Sequence, residues 1–297
     1  MKEDIKELAG KLGMSMCGVS GMDRFATSPQ GKHPREVLPG CKSVIAVGVR
    51  LLDGTIQANF RAFEDGRDDL KGLYGTYGYA MLPNFELTYV CYSIARYIEE
   101  KTDEAAAPCS TGPMTNGAQI SLRHAAVAAG LGEFGWLGIV LTPKYGPRNR
   151  FGVVLTTLEL EPDPMYGGKP LCVPEKCGIC ARVCPSGALS KYEDGGPKRV
   201  EMGGKVSEYC QLDWAKCFMV EEAMRKEYGG REDYLTTDEP TMKDIFEASM
   251  RMPHSDAGLQ RVESWHCGKC LSYCPTGDWA KRFSGRGLSR GAAAAGR

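Results

Sequence analysis

Seven cysteines in two short runs have the types and spacing to bind inorganic clusters. Cys172, Cys177, Cys180 and Cys184 precede Pro185, and Cys267, Cys270 and Cys274 precede Pro275. A [4Fe-4S] cubane needs four thiolates converging on its irons, and a short loop can aim only three of them at one cluster. The fourth comes from elsewhere in the chain. The runs read C-x4-C-x2-C-x3-C-P and C-x2-C-x3-C-P, close to the two-cluster spacing in which the last cysteine of each run serves the other cluster. The second run lacks its leading ligand, because Ser264 stands where a compact run would place it. Cys217 and Cys210 are the upstream candidates to replace it, with Cys217 preferred. One cluster then takes Cys172, Cys177, Cys180 and Cys274, and the other Cys217, Cys267, Cys270 and Cys184. Zinc on paired C-x2-C units is the rival reading, but it gives no use to a doubled C-x3-C-P. Disulfides are the other rival.

Composition narrows the setting. The chain has 297 residues with 37 basic and 37 acidic side chains, so no global field draws it to nucleic acid or anionic lipid. The amino-terminal MKEDIKELAGKLGM is charged, and no segment approaches the apolar length of a membrane span. A soluble, cytoplasmic protein without membrane or nucleic-acid partners is the expectation. In a reducing compartment thirteen cysteines point to metal rather than disulfides. Those left after the clusters, Cys17, Cys41, Cys91, Cys109 and Cys210, read as buried packing.

Elements must bring the thiols together. Ile5, Leu8, Ala9 and Leu12 recur at helical spacing before Gly13, which predicts an opening amphipathic helix. Ser43 to Val49 (SVIAVGV) reads as a buried strand. Residues 53 to 83 show no clear period and read as a long loop or cap. Asn84 is the expected N-cap of a helix carrying Val90, Ile94, Tyr97 and Ile98. A second helix spans about Ala118 to Ala129 and stops at Gly130, and Leu137 to Thr142 and Phe151 to Leu158 read as strands. Helices and strands therefore intermix in an α/β arrangement. The Pro- and Gly-rich Glu161 to Pro170 marks a junction, residues 211 to 250 read as a helical insertion, and residues 284 to 297 as a mobile tail.

The stretch Ala125 to Val154 (AAVAAGLGEFGWLGIVLTPKYGPRNRFGVV), then LTTLELEPD and the first cysteine run, resembles the block preceding the clusters in corrinoid-dependent reductive dehalogenases. The related epoxyqueuosine reductases share the AGLG stretch and the truncated second run. The resemblance covers most of residues 40 to 280. It implies an α/β (α+β) fold: a nitroreductase-like, cobamide-binding α/β domain over residues 1–163, then a bacterial ferredoxin-like double [4Fe-4S] domain over 164–283. It also implies a base-off cobamide beside the two clusters, an external low-potential electron donor of ferredoxin or flavodoxin type, and reductive cleavage of a small organic substrate.

Residues carry over only where they line up. Tyr79 of the Gly78-Tyr79 pair resembles the proton-donating tyrosine, with Tyr77 a poorer match, and its placement in the pocket requires the following residues to loop out. Asn116 in PMTNGA resembles the active-site asparagine of dehalogenases, where epoxyqueuosine reductases carry an acid. Arg150, second arginine of YGPRNR, resembles the arginine that supports the tyrosine and a substrate anion, with Arg148 the alternate. Gly130, Gly132 and Gly135 would let the backbone approach a macrocycle, and Tyr145 and Arg148 would stand beside the same cofactor. His124 reads as a satisfied structural histidine. Two alternatives stay open: a cluster-only electron carrier or reductive activator without corrinoid, and an epoxyqueuosine-type tRNA-modifying reductase. Against the second stand neutral charge and the missing acid, since RNA affinity leans on cationic contacts to phosphate.

Overall fold

Ser43–Arg50, a run of apolar residues buried from end to end, is the spine of the sheet. The computed structural model describes residues 1–109, 119–252 and 267–278; Asn116 and the tail expected over 284–297 lie outside them. The strands are β1 (Met16–Gly21), β2 (Ser43–Arg50), β3 (Ala106–Cys109), the short pair β4 (Glu133–Phe134) and β5 (Val140–Leu141), and β6 (Asn149–Thr156). The main sheet has the order β1-β2-β6-β3 with every neighbour antiparallel. Helices α1 (Lys2–Lys11), α2 (Asp53–Glu64), α3 (Met81–Lys101) and α4 (Leu122–Ala128) surround it. Successive strand side chains point to opposite faces. Ile45, Val47 and Val49 accordingly pack with Ile5, Leu87, Val90 and Ile94 of α1 and α3, while Val44 and Ala46 pack with Ala125, Ala126 and Val127 of α4. Cover on both faces explains why β2 reads as a continuous apolar run.

Residues 53 to 83 are not a loop. They form α2, a 3-10 turn at Asp68–Leu70, a helical turn at Lys71–Leu73 and a π-helical turn at Tyr74–Tyr79 that runs into α3. Asn84 is therefore not an N-cap, since α3 begins at Met81. Pro83 is accommodated in the first turn, where proline's missing N–H costs least. Leu137–Thr142 is not a full strand, because Gly138 adopts φ +73° and only Val140–Leu141 pairs.

A hairpin of β7 (Lys198–Met202) and β8 (Lys205–Tyr209) stands between the cysteine runs, joined by Gly203 and Gly204, both at positive φ. Helices α5 (Trp214–Glu221) and α6 (Met242–Arg251) lie in the expected insertion and share a small core of Ala215, Met219, Ile245 and Ala248. The boundary expected at residue 163 is crossed by packing. Met202 and Tyr209 join the core around α4, and Leu271 and Tyr273 pack with Leu51, Phe60 and Tyr74. Among the described residues no helix is long and apolar enough to cross a membrane.

Candidate active site

Both C-x2-C turns are built alike. Gly178 follows Cys177 at φ 59°, Gly268 follows Cys267 at φ 54°, and each opens a short helical turn, Ile179–Arg182 and Lys269–Tyr273. A side chain at either glycine would be strained in this left-handed conformation. The turns bring the thiols into two electrostatic groups. Cys180 responds to Cys274, Cys172 and Cys177, and Cys172 to Cys274 and Cys177. Cys270 responds to Cys267 and Cys217, then to Cys180 of the first group and to Cys184, and Cys217 responds to Cys267 and Cys184.

Burial, then these neighbours, pushes the Cys180 thiol up to about 12. For Cys172 burial leads again and the thiol rises to about 11, opposed by a hydrogen bond from the Trp136 backbone. Thiols crowded in an apolar pocket ionise only beside compensating positive charge, which coordination to iron supplies. This donor set fits a pair of cubanes with four thiolates each. Among the described residues no group of three or more His, Cys, Asp or Glu is placed to hold a single metal ion.

The frame is tied down from outside. The Trp136 backbone N–H donates to Cys172 Sγ at 3.4 Å, and its indole N–H donates to Ser190 O at 2.8 Å. Asn59 Nδ2 of α2 donates to Cys267 O at 2.9 Å and to Ser272 Oγ at 3.2 Å. Arg148, 1% exposed, donates to Cys274 O at 2.9 Å, to Leu271 O at 3.4 Å and to Thr276 O. Its guanidinium is thus a strut for the second cysteine run rather than a residue facing a separate cofactor. Cys210 lies with its thiol 3.4 Å from Ser190 Oγ.

Tyr79 meets Arg150 without any looping-out. The Arg150 guanidinium lies 4.4 Å from the centroid of the half-buried Tyr79 ring, and its Nε–H donates to Asn84 Oδ1 at 2.8 Å. The π-helical turn sets the Tyr74 and Tyr79 rings against each other, 5.5 Å apart and 20° from parallel. Single π-turns inside helices are frequent at functional positions. The Tyr79 phenol is pushed up to about 12, first by the Glu221 carboxylate and then by burial, with Arg150 opposing through charge and a hydrogen bond. Tyr77, by contrast, is 52% exposed.

Sequence reasoning missed Asn84 as the Arg150 partner, and it missed Glu221. The signal for Glu221 was its spacing four residues after Cys217, which puts the two on one face of α5.

The glycines expected at a macrocycle rim are used otherwise. A β-carbon on Gly130 would collide with the Pro164 carbonyl, one on Gly132 with the Leu141 carbonyl, and one on Gly135 with the Leu141 and Leu137 side chains. Their bareness lets the chain pack on itself. Tyr145 accepts from the Arg148 backbone N–H at 3.2 Å and lies under Lys144 Nζ. His124 Nδ1 pairs with Ser121 Oγ at 2.5 Å and Nε2 with Tyr209 OH at 3.3 Å. Burial first, then Arg123 and Lys198, lowers it to about 4.

A depressed folded value means the unfolded chain binds this proton more readily. The His124 contribution to stability is present above the ordinary histidine range near ~6.5 and is lost as pH falls toward about 4. Urea midpoints measured across that window should drop on acidification, and His124→Gln should flatten the drop.

No family model matches the chain. It is 41% identical over 107 residues to a tetrachloroethene reductive dehalogenase of Desulfitobacterium hafniense, covering 35% of this chain and 18% of that protein. It is 32% identical over 194 residues to an epoxyqueuosine reductase of Gloeobacter violaceus, covering 62% of this chain and 52% of that one.

Among solved structures, a catabolic reductive dehalogenase in complex with 3-bromo-4-hydroxybenzoic acid superposes with a TM-score of 0.51 at 20% identity, over 74% of this chain and 29% of the other. An epoxyqueuosine reductase with a tRNA-Tyr stem loop superposes with a TM-score of 0.51 at 16% identity, over 92% and 79%. These two superpositions speak for a shared fold. By sequence the chain is a relative of the reductive dehalogenases and epoxyqueuosine reductases, the group that its motifs resemble, and it spans about half or less of the curated relatives it matches.

Proposed function

We propose that this chain is an iron–sulfur oxidoreductase that delivers electrons and a proton to a small organic substrate beside Tyr79. The observation that carries the reading is that Tyr79, under the Arg150 guanidinium, feels Glu221 and Cys217 of α5, and Cys217 in turn feels Cys267 and Cys184. Cys172, Cys177, Cys180 and Cys274 would hold one [4Fe-4S] cluster, and Cys217, Cys267, Cys270 and Cys184 the other. When bound, such clusters supply single electrons at low potential.

Reductive removal of a halogen consumes two electrons and one proton, replacing a carbon–halogen bond by carbon–hydrogen and releasing halide. Tyr79 O–H would supply the proton, and Arg150, fixed by Asn84, would hold the resulting phenolate. The family resemblance implies a cobamide as well. Gly130, Gly132 and Arg148, expected to line it, are committed to the chain's own backbone and do not fit that role. Tyr79 and Arg150 keep theirs whichever group passes the electrons on. A ferredoxin- or flavodoxin-type donor is the proposed partner.

A second reading keeps the same site for a modified tRNA nucleoside, because the longer sequence match is to an epoxyqueuosine reductase. Both are tested by anaerobic reconstitution with iron and sulfide, then assay with a low-potential donor and cobalamin supplied. We expect about eight irons per chain and halide release from tetrachloroethene or 3-bromo-4-hydroxybenzoate. Binding of a tRNA stem loop without halide release would favour the second reading. Zinc in place of iron, or no reducible cluster signal, would sink both.

A further inference from the structure

We infer that the Tyr74 hydroxyl donates a hydrogen bond to the cluster held by Cys184, Cys217, Cys267 and Cys270, and so raises its reduction potential. This rests on the two-cluster reading above and extends it to a residue outside the ligand set.

Tyr74 is 0% exposed, and its hydroxyl has no hydrogen-bond partner among the described residues. Buried phenols normally find one, because an unsatisfied polar group carries its full desolvation cost. The ring cannot turn away to find water. It is stacked on Tyr79 and packed among Leu51, Ile56, Phe60 and Leu271.

Where the hydroxyl points is set by the second C-x2-C turn. A β-carbon on Gly268 would collide with the hydroxyl oxygen, so the glycine between Cys267 and Cys270 is the residue that makes room for it. The Cys270 and Cys267 thiols are close enough to act on it electrostatically. An O–H held against this turn, with no acceptor among the described residues, matches the needs of an anionic cluster sulfur. Hydrogen bonds to the sulfurs are among the features that set cluster potentials, through second-shell tuning. A donor favours the reduced cluster, which carries the extra negative charge.

The position also links cluster and substrate site. The same ring that meets the Cys267–Cys270 turn lies against Tyr79, the proposed proton donor. Loss of the hydroxyl should therefore move a potential without removing the aromatic spacer.

The experiment is an EPR-monitored redox titration of the reconstituted full chain and its Tyr74→Phe variant. The substitution keeps the ring and deletes only an unpartnered oxygen, so folding and iron content should be retained. In the variant, the midpoint of one cluster should fall, with its reduction equilibrium weakened about tenfold, or ~59 mV for a one-electron couple. The other cluster should keep its midpoint. In D2O, an exchangeable deuteron coupled to the affected cluster should be seen by pulsed EPR in the parent and lost in the variant. Unchanged midpoints, or equal shifts of both clusters, would overturn the inference while leaving the two-cluster reading intact. A parent chain that takes up no cluster would overturn both.

Discussion

Cys217→Ala leaves the reconstituted chain with about half of its iron, near four atoms in place of eight, whereas Cys210→Ser keeps the full complement. The expectation follows from where the two thiols stand. Cys217 lies on α5 facing Cys267 and Cys184, so its loss removes one of four donors from that group. Cys210 is 1% exposed and occupied with Ser190, and its backbone N–H donates to Trp136 O at 2.8 Å. Serine there keeps a hydroxyl for the same partner. Iron and sulfide analysis with EPR of the reduced proteins decides the matter. The reverse outcome, iron lost from the Cys210 variant and retained in the Cys217 variant, would reassign the eighth ligand.

Tyr79→Phe should lower halide release by about 10²–10⁴-fold, the usual contribution of a positioned acid, while iron content and cluster spectra stay as in the parent. The phenol is pushed up to about 12, so as a donor it is loaded throughout the neutral range. Activity should then decline only as pH climbs toward that value. Glu221 is the largest cause of the upward shift. Glu221→Gln removes it, and the alkaline decline should move to lower pH. A Tyr79→Phe variant with parental turnover would remove this residue from the chemistry.

Much of the site was legible because its signals are local and redundant. The paired C-P runs single out the thiols, and Cys274 acts on Cys172 and Cys180 while Cys184 acts on Cys217 and Cys267, with Cys180 also reaching Cys270. Tyr79 and Arg150, far apart in the chain, were linked by motif before the fold placed one over the other. Among the strands, the run at β2 was plain since both faces are covered, and β6 for the same reason.

Other parts were hidden for physical reasons. The helix α2 buries Ile56, Asn59 and Phe60, but the glycine- and tyrosine-rich turn after it broke the period and made the whole stretch look irregular. β7 and β8 are short and mostly exposed, so alternation was weak. Gly203-Gly204 was the overlooked hairpin sign. Gly130 and Gly132 misled because a glycine records only that something comes close. Here that something is the Pro164 and Leu141 backbone.

The wide turn at Tyr74–Tyr79 makes chain length itself a constraint. In an ordinary helix with 3.6 residues per turn, positions five apart diverge by about 140° around the axis, and the two phenol rings could not lie face to face. Removing a single residue between them would rewind the segment and swing one ring away, though every other side chain were kept. Natural variation along this stretch should therefore appear as exchanges of residue type, at outward positions such as Gly72 and Tyr77, and hardly ever as insertions or deletions.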